Sequence, residues 1–354
     1  MASVSLEVSG RAYGGWKTVR VMRGIESISG SFSVGFTERW ANQNQPWPIT
    51  EGDECRVLLG SEPVITGHID SRDLSFTATD HTVSVNGRDR TGDLVDSGVQ
   101  LNGWAFSNVS VLDVARKLCA PYKIPVALQA GLKSPGLEKR VSFDPGDTVA
   151  NALEQLCRVA GLLPMSDGRG GLTLARAGTG RCATDLVEGE NVLAASVKLD
   201  QTNRFNRYVV LGQRTGDDWV NGSSSAKIRG SATDPRVRSS RVHVIRPEGN
   251  ITAAQANTRA QWEATTRAAR SDTVSVSVVG WTQSTGLLWP VNELVHVDLP
   301  TLRVKADMLV AQVTYLFDLH SGATTQLELK GAKSYLPEPV VSSSGLWPEL
   351  AKGA

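Results

Sequence analysis

Residues 52–88 decide the fold, and they read GDECRVLLGSEPVITGHIDSRDLSFTATDHTVSVNGR. Near the end of this stretch Val83 and Val85 share one face of a strand, and the polar residues between and after them share the other, as a period of two requires. Glycine and proline residues interrupt the apolar runs, which is typical of turns between short strands. The pattern predicts a compact β-meander with strands at 55–59, 64–69 and 82–86.

The same pattern returns near the other end of the chain. Three pairs of segments resemble each other in the same order, namely 53–58 with 292–297, 65–69 with 309–313, and 83–87 with 327–331. The second and third segments are equally spaced in both copies, and both copies close on a glycine, while the first turn is longer in the second copy. We therefore predict an internal duplication, with chance similarity between two β-meanders as the alternative.

The bulk composition limits the classes of protein to consider. The chain has 354 residues, enough for two or three domains with sizeable cores. Its 37 basic and 36 acidic side chains give a net charge of +1, so no overall field favours specific nucleic acid binding. The cysteines form no CxxC pair, and we expect buried free thiols in a reducing compartment. They are Cys55, Cys119, Cys157 and Cys182.

Neither a signal peptide nor a membrane-spanning segment is expected from the sequence. The N-terminus reads MASVSLEVSG, which lacks a charged start followed by an apolar run. No apolar stretch approaches the ~18 residues that a transmembrane helix requires. We therefore predict no membrane insertion.

The order of the patterns divides the chain into four parts. Residues 1–99 hold several short strands and are expected to close as a small barrel or sandwich, whereas 100–180 mix helical periodicity with short strands in a small α/β domain. Residues 181–336 return to strands, with a loop-and-helix insertion at 213–271. Residues 337–354 are expected to form an extended tail that needs another surface to order it. The predicted fold class is mainly β with α+β insertions.

Three helices are predicted from periodicity and capping residues. The first spans 110–119, with apolar side chains on one face and a proline just beyond its end. The second spans 148–160, with Asp147 as its N-cap and a glycine directly after it. The third spans 252–270 and begins with a Thr-x-x-Gln capping box.

Motifs that would carry catalysis or cofactor binding lack their structural context. Residues 178–183 fit G-x-G-x-x-A, but the turn-like sequence after them argues against the helix that a dinucleotide fingerprint requires. His68, Asp70 and Ser71 are close in sequence, yet no G-x-S-x-G elbow supports a hydrolase site. We therefore predict no catalytic residue, no cofactor-binding residue, no metal ligand and no cofactor.

Two further features of the sequence favour protein contacts over ligand binding. Basic residues concentrate at 227–246, but no aromatic residue is interleaved with them, so a solvated loop or a protein interface is favoured over phosphate binding. Trp262 lies on a largely alanine face of the third predicted helix, which indicates close packing against a neighbouring element.

Several segments together carry a resemblance that no single motif does. The longest segment is 52–98, GDECRVLLG followed by VITGHIDSRDLSFTATDHTVSVNGRDRTGDLVDSG. Further segments follow in order at 143–161, 167–174, 188–193, 208–213 and 260–270. Taken together they resemble phage baseplate hub proteins, the late-control protein D and Mu-like group, and cover nearly the whole chain.

The resemblance implies both a fold and a function. The expected fold has two tail-tube-like β-barrel domains and a small α/β domain, in a chain that forms a homotrimer. The expected function is that of a structural baseplate hub of a contractile phage tail, which adapts the six-fold tail tube to the three-fold central spike. The family hub carries no catalytic or metal motif, so the resemblance implies that the protein is not an enzyme. Some relatives carry a lysozyme-like domain, and we expect none from this sequence.

The resemblance also implies partners and a location. The partners would be the tail tube protein, the central spike protein and the baseplate wedge or tape-measure components. The location would be the virion tail baseplate, assembled in the host cytoplasm. Two alternatives stay open: the tail-tip hub of a non-contractile phage or phage-derived injection system, and a tail-associated hydrolase or glycan-binding protein.

Overall fold

The computed structural model describes residues 3–37, 49–77, 81–101, 103–137, 140–212, 228–247 and 251–339. The chain divides into two compact units. Unit 1 is Met1–Val197 with Val274–Ala332, and unit 2 is Lys198–Thr273 with Lys333–Ala354. Parts of the expected insertion, at 213–227 and 248–250, and of the expected tail, at 340–354, lie outside the described residues.

Strands dominate the described chain, with few helices, so the fold class is mainly β with α+β insertions, as the sequence predicted. The strands are β1 (Val4–Val8), β2 (Arg11–Tyr13), β3 (Thr18–Gly24), β4 (Ser31–Thr37), β5 (Glu54–Leu59), β6 (Glu62–Phe76), β7 (His81–Asp89), β8 (Ala105–Phe106), β9 (Val126–Leu128), β10 (Val141–Ser142), β11 (Leu163–Ser166), β12 (Leu172–Ala175), β13 (Gly180–Arg181), β14 (Leu186–Val187), β15 (Val192–Leu199), β16 (Arg207–Gly212), β17 (Ile228–Thr233), β18 (Val242–Ile245), β19 (Asp272–Val279), β20 (Glu293–Leu299), β21 (Val304–Asp318) and β22 (Gly322–Gly331). The helices are α1 (Gly92–Asp96), α2 (Val111–Cys119), α3 (Val149–Ala160) and α4 (Ala253–Arg270).

The first half-sheet of unit 1 contains β1 to β7. Its strands pair in the order β3-β4-β7-β6-β5-β1-β2, and every pairing is antiparallel. The predicted meander is therefore present as β5, β6 and β7, but β6 continues beyond Ile69 to Phe76. The sequence prediction stopped early because the continuation is mostly polar and exposed, so it lacks the apolar alternation of a half-buried strand.

Two glycines allow β6 and β7 to cross closely. Gly67 and Gly87 lie inside these strands, where an added Cβ would sit 2.0 Å from the Arg88 carbonyl oxygen and 2.3 Å from the His68 carbonyl oxygen, respectively. A β-bulge in β6 lies directly after this crossing. Bulges increase the local twist of a strand. The close approach and the bulge together allow β6 to extend to Phe76, beyond its last pairing with β5 at His68.

The second half-sheet of unit 1 contains β15, β19, β22, β21 and β20 in that spatial order, and the short strands β13 and β14 pair parallel to β20. The set β20, β21 and β22 repeats β5, β6 and β7, because both middle strands have 15 residues and both contain a bulge in their long hairpin. Matching the bulges pairs Ile69 with Val310 and Val57 with Val297, all of them buried. The predicted alignment of 65–69 with 309–313 is therefore shifted along the strand relative to the structural alignment, because a β-bulge cannot be recognised from the sequence alone.

The strand β21 joins the two half-sheets. Its first part pairs with β20, while its second part pairs antiparallel with β3, from Gln312 opposite Gly24 to Asp318 opposite Thr18. One continuous sheet results, and its path ends at β15 and β2. Buried residues of both halves form one apolar cluster, including Val21, Val34, Val85, Val313 and Leu329.

The small α/β module of unit 1 lies between the half-sheets in sequence. Its sheet has the order β11-β12-β9, and α2 and α3 pack together with a core of their own. The N-cap of α3 is Thr148, whose hydroxyl accepts from the Asn151 amide at 3.2 Å. The predicted cap, Asp147, is wrong by one residue: its carboxylate accepts from the Asp144 amide at 3.2 Å in the preceding turn. Aspartate and threonine both cap helices well, so the sequence could not separate them.

Unit 2 has a three-stranded sheet with the order β17-β16-β18 and the helix α4. The predicted capping box is confirmed, because Thr252 and Gln255 exchange both hydrogen bonds. The helix lies close to β17 at Gly230, where an added Cβ would be 2.1 Å from the carbonyl carbon of Ala256. Trp262 lies across the helix from this contact and donates to the Leu336 carbonyl oxygen at 3.0 Å.

All four cysteines are free and buried, and burial raises the pKa of each thiol to about 12. We expect no reaction of the native protein with a thiol reagent such as dithionitrobenzoate at neutral pH, because the reactive thiolate is both scarce and covered. Unfolding in guanidinium should release all four thiols. Titration of the native and the denatured protein measures this, and rapid reaction of even one native thiol would contradict it.

Candidate functional site: the exposed strand edges of unit 1

The residues that suggested a hydrolase do not form a catalytic chain. His68, Asp70 and Ser71 all lie on β6, but the Asp70 carboxylate binds Arg88 at 2.6 Å. The Ser71 hydroxyl accepts from the Asn86 amide nitrogen at 3.2 Å instead of meeting a histidine. A general base must lie within hydrogen-bond reach of its nucleophile, and this arrangement instead fastens β6 to β7.

The glycine motif at 178–183 lacks the strand–turn–helix context of a dinucleotide fingerprint, because Gly180 begins β13, which pairs parallel with β20. Among the described residues, no group of three histidine, cysteine or acidic side chains could hold a metal ion. In the same residues, no helix is long and apolar enough to cross a bilayer.

Asp89 is the buried carboxylate of the first half-sheet, and both of its oxygens are occupied. One oxygen accepts from the Gly30 amide and the other from the Thr66 amide, each at 3.1 Å. Burial raises the pKa of Asp89. The Thr66 hydroxyl also donates to the Gly168 carbonyl oxygen at 3.0 Å, which ties the α/β module to β6. The carboxylate therefore holds the backbone together and is not available to a substrate.

An ion-pair cluster fastens the second half-sheet at its exposed face. Asp307 on β21 lies 2.9 Å from both Arg181 on β13 and the His296 ring nitrogen on β20. The hydrogen bond from Arg181, followed by that from His296, lowers the pKa of Asp307 from 3.8 to about 2.

This cluster predicts a loss of stability in acid. A carboxyl group with a lowered pKa in the folded state stabilises the fold above its ordinary pKa, and that contribution disappears as the pH falls from about 4 to about 2. We expect Asp307→Asn to flatten this part of the pH profile. Guanidinium midpoints measured between pH 5 and pH 2 test it. Arg181→Gln should have a similar effect, and the two changes should not add. A profile unchanged by both variants would contradict the prediction.

The two faces of the continuous sheet differ in character. One face packs into the apolar cluster, and the other carries polar and charged side chains. In the first half-sheet, the Ser33 and Ser84 hydroxyls lie 3.4 Å apart on neighbouring strands, and the Asn86 side-chain amide donates to Asp73 at 2.9 Å. At β4, β6 and β7 the polar face is therefore a hydrogen-bonded patch of short side chains.

The outer edge of β6 is exposed beyond its bulge. The strand pairs with β5 only through Glu62–His68, and among the described strands none pairs with this edge at 71–75. Leu74 is 58% exposed and Phe76 is 79% exposed, although both lie on the side of the sheet that is apolar elsewhere. An open edge flanked by exposed apolar side chains invites another strand.

The same position in the second half-sheet is covered. Matching the bulges places Tyr315 of β21 at the position of Leu74, and Tyr315 is 2% exposed. Its strand edge pairs with β3, and its hydroxyl donates to the Trp289 carbonyl oxygen at 2.5 Å. Two equivalent edges thus differ in one respect: the first half-sheet covers the edge of β21, while the edge of β6 is open.

A complementary open edge exists at β15, the strand at one end of the path of the sheet. The order β15-β19-β22-β21 repeats β3-β4-β7-β6, so β15 occupies the position of β3. In the described residues β15 pairs only with β19, and Leu193 on it is 58% exposed. Sequence reasoning did not find the position of β15 at an edge, because strand order cannot be read from local periodicity. The signal that could have found the β6 edge is the pair Leu74 and Phe76 in an otherwise polar run.

Comparison with known proteins finds relatives among phage baseplate proteins. Residues 3–89 match the Mu phage baseplate assembly protein GpP-like N-terminal family, residues 91–176 the second domain of the baseplate hub protein gp44-like family, and residues 252–338 the fourth domain of the Mu phage baseplate assembly protein GpP family. The baseplate hub protein gp44 of Escherichia phage Mu is 34% identical over 342 residues, which cover 94% of this chain and 89% of that protein.

Solved structures of tail proteins have the same fold. The prophage MuSo2 43 kDa tail protein from Shewanella oneidensis superposes with a TM-score of 0.82 at 28% identity, covering 95% of this chain and 100% of that one. A tail protein from Neisseria meningitidis MC58 gives a TM-score of 0.79 at 23% identity, covering 96% and 99%.

These matches define the class of protein, which is a baseplate component of a phage tail. The chain belongs to the Mu-type baseplate hub family, represented by gp44 of phage Mu. It is a baseplate hub protein, as the sequence resemblance implied.

Proposed function

We propose that the chain forms a homotrimer that adapts a six-fold tail tube to a three-fold central spike in a contractile tail. The observation that carries the proposal is the difference between the two equivalent edges of unit 1. The edge of β21 pairs with β3 inside one chain, whereas the edges of β6 and β15 are open.

The open edges complete each other if they pair between chains. The strand β15 repeats β3, so β6 of one chain against β15 of the next would repeat the antiparallel joint between β21 and β3. Such a contact is heterologous, and it forms a closed ring or an open filament according to its rotation. Three chains supply six half-sheets, which match a six-fold tube on one side and keep three-fold symmetry on the other.

In the proposed ring each face of the sheet has its own role. The apolar face is already buried within each half-sheet, so the polar face is left to line the central channel. Ser33, Ser84 and Asn86 lie on this face, among short side chains that hydrogen-bond to one another. The channel wall would be hydrophilic.

The division into domains supports the same role. We propose domains at 1–99, 100–180 and 181–336, with an insertion at 213–271 and a tail at 337–354. Matches to separate family domains at 3–89 and 91–176 support the first two of these domains. The proposed partners are the tail tube protein, the spike protein and the wedge or tape-measure components, at a baseplate assembled in the host cytoplasm.

We propose further that the protein has no catalytic activity, no metal and no cofactor. The support is that Asp70, Ser71 and Asp89 are engaged in structural contacts. Incubation with cell-wall and capsule polymers should give no turnover. Hydrolysis that Asp70→Asn abolishes would refute this part of the proposal.

The mass and symmetry of the protein test the trimer. Light scattering of the purified chain at rising concentration should approach three times the mass of 37.9 kDa. Averaged electron-microscope views down the axis should show six similar lobes related by three-fold symmetry. A stable dimer in the assembled tail, or lobes at unequal radii, would overturn the proposal.

A further inference from the structure

Unit 2 carries a second exposed surface, which the ring does not use. Its sheet is covered on one face by α4, where Tyr208, Val210, Ala256 and Ala260 form a small core. On the opposite face of the sheet, Val209 of the middle strand is 4% exposed, and the side chains around it are more exposed.

The open face of this sheet has an apolar centre. Leu211 on β16 and Val242 and Val244 on β18 are 44%, 38% and 58% exposed. Their register places them together, because Val209 lies opposite Val244, and Leu211 is two residues further along the same face. Side chains alternate between the faces of a strand, so all three point away from α4.

Arginines surround this apolar centre. Arg207 shares the same face of β16, Arg229 lies opposite Leu211 on β17, and Arg246 directly follows β18. All three are exposed, and none forms an ion pair with another described residue. Two buried acidic residues of unit 2 in the described chain bind other arginines: Asp234 binds Arg204 at 2.7 Å and Glu263 binds Arg267 at 2.7 Å. We call the whole surface the arginine-rimmed face.

We propose that the arginine-rimmed face binds an acidic segment of another tail protein, with aliphatic side chains of that segment on the valine and leucine centre. The charge of the rim identifies the partner as acidic, because unpaired guanidinium groups bind carboxylates well. The centre argues against nucleic acid, which would need aromatic platforms or more phosphate contacts. A second copy of the same face carries the same charge, so self-association is disfavoured. The proposal rests on the proposed function in one respect: the partner is taken to be another protein of the phage tail.

A photo-crosslinking residue tests this contact in assembled tails. Benzoylphenylalanine in place of Val244 should give one adduct after irradiation, with a different tail protein, at a peptide that contains aspartate or glutamate. The matched control places the same residue at Leu287, which is 67% exposed in unit 1, and should not give that adduct.

Charge reversal distinguishes the contact from chance proximity. The double variant Arg207→Glu, Arg229→Glu should reduce the adduct yield by about tenfold or more, since two charge-assisted contacts are lost. Arg238→Glu, an exposed arginine in the turn before β18, should leave the yield unchanged. Light scattering of each variant reports ring formation separately, so failure of this proposal can be told from failure of the trimer. An adduct with another copy of this chain or with nucleic acid, no adduct, or one insensitive to charge reversal would overturn it.

Discussion

Aspartate at Val85 or at Leu329 should abolish folding of the protein. Val85 is 1% exposed on β7 and Leu329 is 0% exposed on β22, and both belong to the apolar cluster shared by the half-sheets. A carboxylate at either position would be buried without a partner, which costs several kcal/mol in addition to the lost packing. Domains are stable by only about 5–15 kcal/mol, so either change consumes much of the total.

The polar face of the same strands supplies the matched controls. Ser84→Asp is adjacent to Val85 and Gln326→Asp lies on β22, and both side chains point away from the apolar cluster. We expect both controls to give soluble protein with a cooperative thermal transition. Soluble yield and circular dichroism melting distinguish the outcomes. Val85→Asp with a melting temperature equal to that of its control would show that the face is not a core.

Aspartate at Leu74 should leave the fold intact and abolish the ring. Leu74 is 58% exposed in the single chain, so the change buries no charge in the monomer. In the ring it would be covered, as Tyr315 is covered at the equivalent position, and charge on an edge strand opposes pairing. The expected result is an unchanged melting curve with a mass of one chain instead of three.

Leu319→Asp is the control for this second prediction. Leu319 is 60% exposed in the turn after β21, away from the β6 edge, and its replacement should leave the mass of three chains unchanged. Persistence of the trimer in Leu74→Asp would contradict pairing through the β6 edge.

Local signals in the sequence predicted most elements of the fold. The capping box at Thr252 placed α4 correctly, and alternation placed the predicted strand 82–86 inside β7. These predictions succeeded because capping and alternation depend on neighbouring residues alone. The duplication was also visible, although its alignment was displaced because the bulges of β6 and β21 leave no mark in the letters.

The candidate site could not be predicted from local signals. The polar continuation of β6 contains Leu74 and Phe76. Their exposure indicates an open edge only when it is compared with the covered Tyr315 of the second half-sheet. The arginine-rimmed face likewise depends on which strands are neighbours. A basic stretch was recognised, and the apolar centre was missed because Leu211 lies in a different segment of the sequence.

The joint between β21 and β3 has a kinetic consequence for assembly. Both strands belong to one polypeptide, so this joint closes as a unimolecular event at an effective concentration set by the chain, not by the number of molecules in the cell. Half of the joints in a six-part ring would then be complete before any two chains meet. Only the remaining three joints, those between chains, would depend on protein concentration. Three chains would therefore need to form only three contacts to complete the ring.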